Sequence, residues 1–165
     1  MSKITIRKAV IEDANLILRF VHKLAKEEKA EHEVETSKKQ LIKTLFGKNS
    51  TSHALICETD GLPIGHAIYF FNYSTWQGKN GLYIEDLYIL EEYRNLGAGK
   101  QIIKHLSCLA LEKDCGRVEW SVLEWNEPAI GFYKSLGARP QNEWIRYRLS
   151  GKALKKAAGP VNKFA

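Results

Sequence analysis

The run Leu82-Tyr83-Ile84-Glu85-Asp86-Leu87-Tyr88-Ile89 is followed at once by Glu92-Tyr93-Arg94-Asn95-Leu96-Gly97-Ala98-Gly99. An apolar strand broken by two adjacent carboxylates thus leads into a glycine turn that opens a helix. Backbone N–H groups at a helix N-terminus are unpaired and carry the positive end of the helix dipole, so a pyrophosphate can rest on them where no side chain intervenes. Gly97 and Gly99 remove those side chains.

A chain of 165 residues, 44% of them hydrophobic and 27% charged, supports one domain with a real core and not two comfortable ones. The expected organisation is a single domain over residues 1–150 and a basic tail over 151–165, with no internal repeat. A formal charge of +6 suits acidic partners. Its Lys and Arg residues are dispersed, however, with clusters only at Lys38-Lys39, Lys152 to Lys156 and the C-terminus, so nucleic acid is not the expected partner. A moderately basic rim equally suits a phosphate-bearing small molecule. Cys57, Cys108 and Cys115 are odd in number and lack C-x-x-C spacing, which supports neither a disulfide framework nor a zinc site. No signal-peptide-like run and no stretch of roughly 20 apolar residues is present, so a cytoplasmic protein with no membrane partner is expected.

Along the chain, Lys3 to Arg7 alternates as a strand does, and Ala14, Ile17, Leu18, Val21, Leu24 and Ala25 form the stripe of an amphipathic helix. A short helix is expected from Ser37 to Phe46. Ser52 to Glu58 and Pro63 to Phe71 read as a hairpin around Asp60-Gly61, and Tyr73 to Gly81 as a polar loop. Ile102, Ile103, Leu106, Leu109 and Ala110 keep helical spacing until Gly116, with a strand over Val118 to Leu123 to follow. Strand, helix, strand implies a parallel crossover. Asn126 can cap a helix that accepts Pro128 in its first turn and ends before Gly137, with a last strand near Trp144 to Leu149.

Arg94-Asn95-Leu96-Gly97-Ala98-Gly99 matches the acetyl-CoA motif R/Q-x-x-G-x-G/A, and the order of elements resembles that of the GNAT superfamily of N-acetyltransferases. Further segments narrow the likeness: Tyr83 to Tyr88, Glu124-Trp125-Asn126-Glu127-Pro128-Ala129, Phe132-Tyr133-Lys134-Ser135-Leu136-Gly137-Ala138, and Tyr73-Ser74-Thr75-Trp76. Together they resemble the spermidine/spermine N-acetyltransferase group, which includes the thialysine acetyltransferases, from about Ile4 to Leu149. The implied fold class is α/β (α+β), the GNAT acyl-CoA N-acyltransferase fold, with a mixed central sheet splayed at the acetyl-CoA site and helices on both faces.

The resemblance implies that backbone of Leu87, Tyr88 and Ile89 pairs with the pantetheine arm of acetyl-CoA, the co-substrate. Arg94, Asn95, Leu96, Gly97, Ala98, Gly99 and Lys100 would hold its pyrophosphate, and Asn126, Glu127, Pro128 and Ala129 would contact the arm. It also implies that Tyr133 is the acid serving the departing sulfur and that Glu85 accepts the amine's proton through water. Without the resemblance, Tyr133 is open to a role as a core aromatic, and the glycine turn to one as a simple helix start.

An alkylamine of pKa ~10.4 is charged at pH 7, and removing its proton costs roughly 4.6 kcal/mol, so acetyl transfer to it needs a base or a desolvated exit for the proton. Strand alternation would send Glu85 and Asp86 to opposite sheet faces. Both could instead pair with Lys, Arg or backbone groups inside the fold, and Asp86 is expected to be structural. A cationic substrate needs local negative charge, and Glu27, Glu28, Glu31 and Glu33 concentrate it after the first helix. Glu27, Glu28, Glu119, Trp120 and Ser121 match acceptor-contacting positions of the polyamine group; the glutamates interleaved with Lys26 and Lys29 could equally be a solvated helix end. One departure is the short segment from Gly137 to Trp144, which offers only Glu143 for a distal amine and favours short diamines or lysine-like amines over long polyamines. The histidines show no metal-ligand spacing, and no metal is expected.

The expected activity is therefore transfer of acetyl from acetyl-CoA to a primary amine of a small cationic acceptor, by direct attack in a ternary complex, in a homodimer. A protein N-terminus or lysine as acceptor, and a non-catalytic acyl-CoA-binding or nucleic-acid-associated module, remain as alternatives.

Overall fold

The computed structural model describes residues 3–160. They form two compact units, meeting in sequence at Leu123 and Glu124.

The first unit is built on a five-stranded sheet in the order β1-β2-β3-β4-β5, with β1 Ile4–Lys8, β2 Ser52–Thr59, β3 Leu62–Ser74, β4 Lys79–Ile89 and β5 Val118–Trp120. The first three pairings are antiparallel and β4 with β5 is parallel, as the crossover through the intervening helix requires. Between β2 and β3, Asp60 (φ 49°) and Gly61 (φ 81°) are both left-handed, the two-residue turn whose twist suits a hairpin. The expected polar loop over Tyr73 to Gly81 is largely strand instead. Ser74 Oγ accepts from the Gln77 N–H (3.3 Å) and the Ser74 carbonyl from the Gly78 N–H (2.8 Å), closing a tight turn at Gly78, φ 64°. Asn80 and Gly81 then pair with Tyr73 and Asn72 inside the ladder.

Helix α1, Ala14–Glu27, and helix α2, Lys38–Leu45, cover one face. Ile17 and Leu45 bury there against Ala54, Ile56 and Ile68. Ser37 Oγ caps α2 by accepting from the Gln40 N–H at 3.2 Å. Helix α3, Ala98–Glu112, buries Ile102, Ile103, Leu106 and Ala110 and packs on β1, β4 and β5 from the other face. The sheet thus has helices on both sides, as expected.

Helix α4, Glu127–Ser135, opens the second unit, with Asn126 Oδ1 accepting from the Ala129 N–H (3.3 Å) and proline in the first turn. The strand expected near Trp144 to Leu149 is absent. Residues 138–149 have no regular structure, and Trp144, Ile145 and Tyr147 are 66%, 78% and 91% exposed. Alternation of side chains does not make a strand without a ladder, and the described residues of this unit hold no other strand. Helix α5, Gly151–Ala158, forms within the expected basic tail, whose last residues, 161–165, lie outside the described ones.

Candidate active site

The β3–β4 register shifts in the middle of the apolar run: Ile68 pairs with Asp86, whereas its neighbour Tyr69 pairs with Ile84. Glu85 is therefore the extra residue of a β-bulge, a device that re-aims side chains and ends pairing. The expected alternation, one carboxylate to each face, does not hold through this point, because Ile84 and Asp86 are two residues apart yet oppose adjacent residues of β3. Asp86, through Ile68 and Ala54, falls on the face that α1 covers.

On that face Asp86 meets other negative charge. Burial pushes its carboxyl up to about 6, and the charges of Glu85 and then Glu28 add to the effect. Glu28, the C-cap of α1, is itself raised, by burial first and by Glu27 next. Helix α1 ends in a Schellman arrangement: the Ala30 N–H donates to the Ala25 carbonyl at 2.8 Å and the Lys29 N–H to that of Lys26 at 3.1 Å, with Lys29 left-handed at φ 58°. Asp86, expected to be structural, is thus the carboxyl on which the charges of Glu85 and Glu28 both act.

Glu27 departs from its expected place among them. Both of its carboxylate oxygens accept from Arg94 Nη2 at 2.7 Å, and Oε1 also accepts from the Tyr88 hydroxyl at 3.1 Å. The Arg94 guanidinium lies 5.5 Å over the Tyr88 ring, and its Nε donates to the Ile89 carbonyl at 2.9 Å. Burial and the Glu27 charge push the Tyr88 phenol up to about 12. Sequence spacing gives no signal for this contact, which joins residues 67 apart. An open depression of about 390 Å³ beside it is lined by Lys23, Lys26, Glu27, Tyr88, Glu91 and Glu92.

Past Tyr93 the chain turns through Asn95 (φ 62°) to Gly97 (φ 87°), the N-cap of α3. No side chain caps that helix, and a Cβ built on Gly97 would meet no atom within 4 Å. The first-turn N–H groups, those of Ala98, Gly99 and Lys100 among them, have no intrahelical partner, so the turn fits an anionic group. Glycine is required at position 97 by its backbone conformation rather than by crowding. The β4–β5 ladder pairs Leu82, Tyr83 and Ile84 with Val118, Glu119 and Trp120 and stops where β4 bulges. The strand expected over Val118 to Leu123 is shortened accordingly, and the β5-facing edge of Leu87, Tyr88 and Ile89 lies outside the ladder. That is the splay an extended ligand needs.

Glu119 pairs with Arg117 at 2.8 Å and accepts from Asn72 Nδ2 at 3.4 Å, and Ser121 Oγ meets the Tyr83 hydroxyl at 2.8 Å. Neither is among the neighbours that shift Asp86. Asn126, Glu127, Pro128, Ala129, Tyr133 and Glu143 belong to the second unit, where Tyr133 sits on α4 with its ring 5.3 Å from that of Phe132. Among the described residues no group of three His, Cys, Asp or Glu side chains is placed to hold a metal ion.

An α/β sheet splayed beside an uncapped glycine-turn helix defines an acyl-CoA-using transferase, and the chain belongs to the acetyltransferase (GNAT) family, which matches residues 18–138. It is an N-acetyltransferase with acetyl-CoA as co-substrate. A thialysine N-epsilon-acetyltransferase of Sus scrofa is 38% identical over 96% of this chain and 99% of its own. A spermidine/spermine N(1)-acetyltransferase-like protein of Homo sapiens is 32% identical over 93% of this chain and 24% of its own. Among solved structures, an integron cassette protein from the mobile metagenome of V. cholerae superposes with a TM-score of 0.78, at 25% identity, over 94% of this chain and 97% of its own.

Proposed function

We propose that the acceptor is a primary amine of a small dication or lysine-like molecule, such as a short diamine or thialysine. The observation that carries this reading is Asp86, half-buried on the face that α1 covers beside the bulge at Glu85, and pushed up to about 6 by burial and by the like charge of Glu85 and Glu28. The like charge of Glu85 and Glu28 that raises the proton affinity of Asp86 is relieved by a cation beside it. An ammonium ion is such a cation, and the name of the relative from Sus scrofa points the same way.

In this reading the acetyl-CoA pyrophosphate rests on the backbone from Arg94 to Lys100 and the pantetheine arm runs along Leu87, Tyr88 and Ile89. Glu85 takes one proton from the ammonium, through water. The freed amine nitrogen attacks the thioester carbonyl, forming the C–N bond; as the C–S bond breaks Tyr133 gives its proton to the sulfur, and the nitrogen releases its second proton, which returns through water to the Tyr133 phenolate. Asn126 to Ala129 contact the arm, and residues 1–150 act as one domain. The acceptor positions at Glu119, Trp120, Ser121 and Glu143 and the homodimer rest on the resemblance alone, and the cytoplasmic location on the sequence expectation alone.

CoA-thiol release measured across putrescine, spermidine, spermine, thialysine, lysine and an N-terminal peptide tests the acceptor. Selective turnover of a short diamine or thialysine is expected. Peptide turnover alone would replace this reading by a protein acceptor, and silence with tight acetyl-CoA binding by a binding module.

A further inference from the structure

The sequence places Glu27 and Glu28 side by side as equivalents, and the structure separates them. Glu28, at the end of the helix that covers the Asp86 face, is close enough for its charge to raise the Asp86 carboxyl. Glu27 is turned toward the root of α3, where both its oxygens hold Arg94 Nη2 at 2.7 Å and the Tyr88 hydroxyl adds a third bond at 3.1 Å. Arg94 is in turn fixed by its Nε to the Ile89 carbonyl and by its position over the Tyr88 ring. The last turn of α1 is thereby tied to the end of β4 and to the segment that leads into Gly97.

That tie bears on Glu28 because the Schellman bonds fix the backbone of this helix end only to α1 itself, whereas the Glu27–Arg94 pair fixes it to the end of β4. Glu28 is the C-cap, the next residue is left-handed, and a short 3-10 turn at Glu31–Glu33 intervenes before α2. Helix ends fray unless fastened by a side-chain contact or cap. The Glu27–Arg94 pair is a side-chain fastening at this end, and it acts on the residue immediately before Glu28.

We propose that Glu27 is a positioning residue: through Arg94 and Tyr88 it holds the end of α1 so that Glu28 faces Asp86, and it does not itself contact the amine. The proposal rests on the reading of Glu28, Glu85 and Asp86 as the acceptor site. It also links that site mechanically to the turn read as the pyrophosphate site, since Arg94 belongs to both.

The test is a double-mutant cycle of Glu27→Gln and Arg94→Gln with two readouts. The first is the carboxyl titration of Asp86, followed by NMR, which needs no turnover. Losing the Arg94 cation by charge alone would raise the Asp86 pKa, whereas releasing Glu28 lowers it, so the two explanations differ in sign. Both single variants are expected to lower it, and the double variant to lower it no further than either. A rise or no change in Arg94→Gln overturns the proposal. The second readout is the KM for thialysine at saturating acetyl-CoA, expected to rise about threefold to tenfold in Glu27→Gln with kcat within about twofold, and not to rise again when Glu27→Gln is added to Arg94→Gln. An equal rise in both backgrounds would mean that Glu27 touches the amine directly and would end the positioning role. Glu28→Gln separates the two readings: if it lowers the Asp86 pKa but leaves the thialysine KM unchanged, the acceptor site is misplaced while the clamp stands. The ion-paired side chains are 38% and 40% exposed, so these variants keep the fold.

Discussion

His66 has no exposed surface and no hydrogen-bond partner on either ring nitrogen, and burial pushes its pKa down to about 3. It sits neutral with its ring 5.4 Å from that of Phe20. A folded pKa below the unfolded value means stability that is present above about 6.5 and lost as pH falls toward 3, because the unfolded chain takes the proton first. His66→Leu therefore removes an unsatisfied polar group at neutral pH, worth about 1 kcal/mol net of the lost ring contact, and gains more in acid. Urea midpoints at pH 7 and at pH 4 check this; an equal gain at both would mean that the ring has a partner. Asp86 works with the opposite sign. Its pKa rises from 3.8 to about 6, so the folded state loses stability as pH climbs through that interval, and Asp86→Asn should stabilise by about 1–3 kcal/mol at pH 7.5 and by nothing near pH 3.5. The same change should cost acceptor affinity, the trade expected of a group kept for binding. Both residues were visible in the sequence as polar positions in apolar strands. Their surroundings were not, since those depend on which face the register chooses.

At the scale of elements, the hairpin turn at Asp60-Gly61, the Asn126 cap and the α3 stripe were legible because their signals are local in sequence. The bulge at Glu85 was not, because it is a property of two strands and appears only when Ile68 and Tyr69 meet β4. Ties between elements are hidden for the same reason. Arg7 on β1 donates to both Asp13 oxygens, at 2.7 and 3.0 Å, and its Nε donates to Glu58 on β2 at 2.8 Å, locking the entry of α1 to the sheet. Asp13, nearly buried, is held below the usual carboxylate range by that guanidinium and the Val10 N–H. Arg7→Met should cost about 2 kcal/mol at pH 7, chiefly by leaving Asp13 short of partners. Since the Asp13 pKa is depressed, the loss should persist down to about pH 4 and shrink only below it, as the carboxylate protonates. Thermal melts of both proteins from pH 7 to pH 3 show it, and a constant difference across that range would assign the cost to packing.

Across the whole molecule two opposed charges are laid out together. The chain carries a net +6, which favours an acidic co-substrate, yet Glu28, Glu85 and Asp86 set negative charge where the cationic acceptor is expected. Composition disclosed the first and could not disclose the second, since the acidic residues meet only through the bulge and the end of α1. The two fields make separable predictions about salt. Charges farther apart than the Debye length, about 10 Å at 0.1 M, are largely screened, so the diffuse basic field acts on acetyl-CoA mainly at low salt. Raising NaCl from about 20 mM to about 300 mM should raise the KM for acetyl-CoA. If net charge governed the acceptor as well, salt would weaken its repulsion and lower the amine KM. Recognition by close carboxylates predicts the reverse: the amine KM rises, more steeply for a diamine than for a monoamine of equal length, and Asp86→Asn flattens the slope. An amine KM that falls with salt in the wild-type protein would show that the local carboxylates do not select the acceptor.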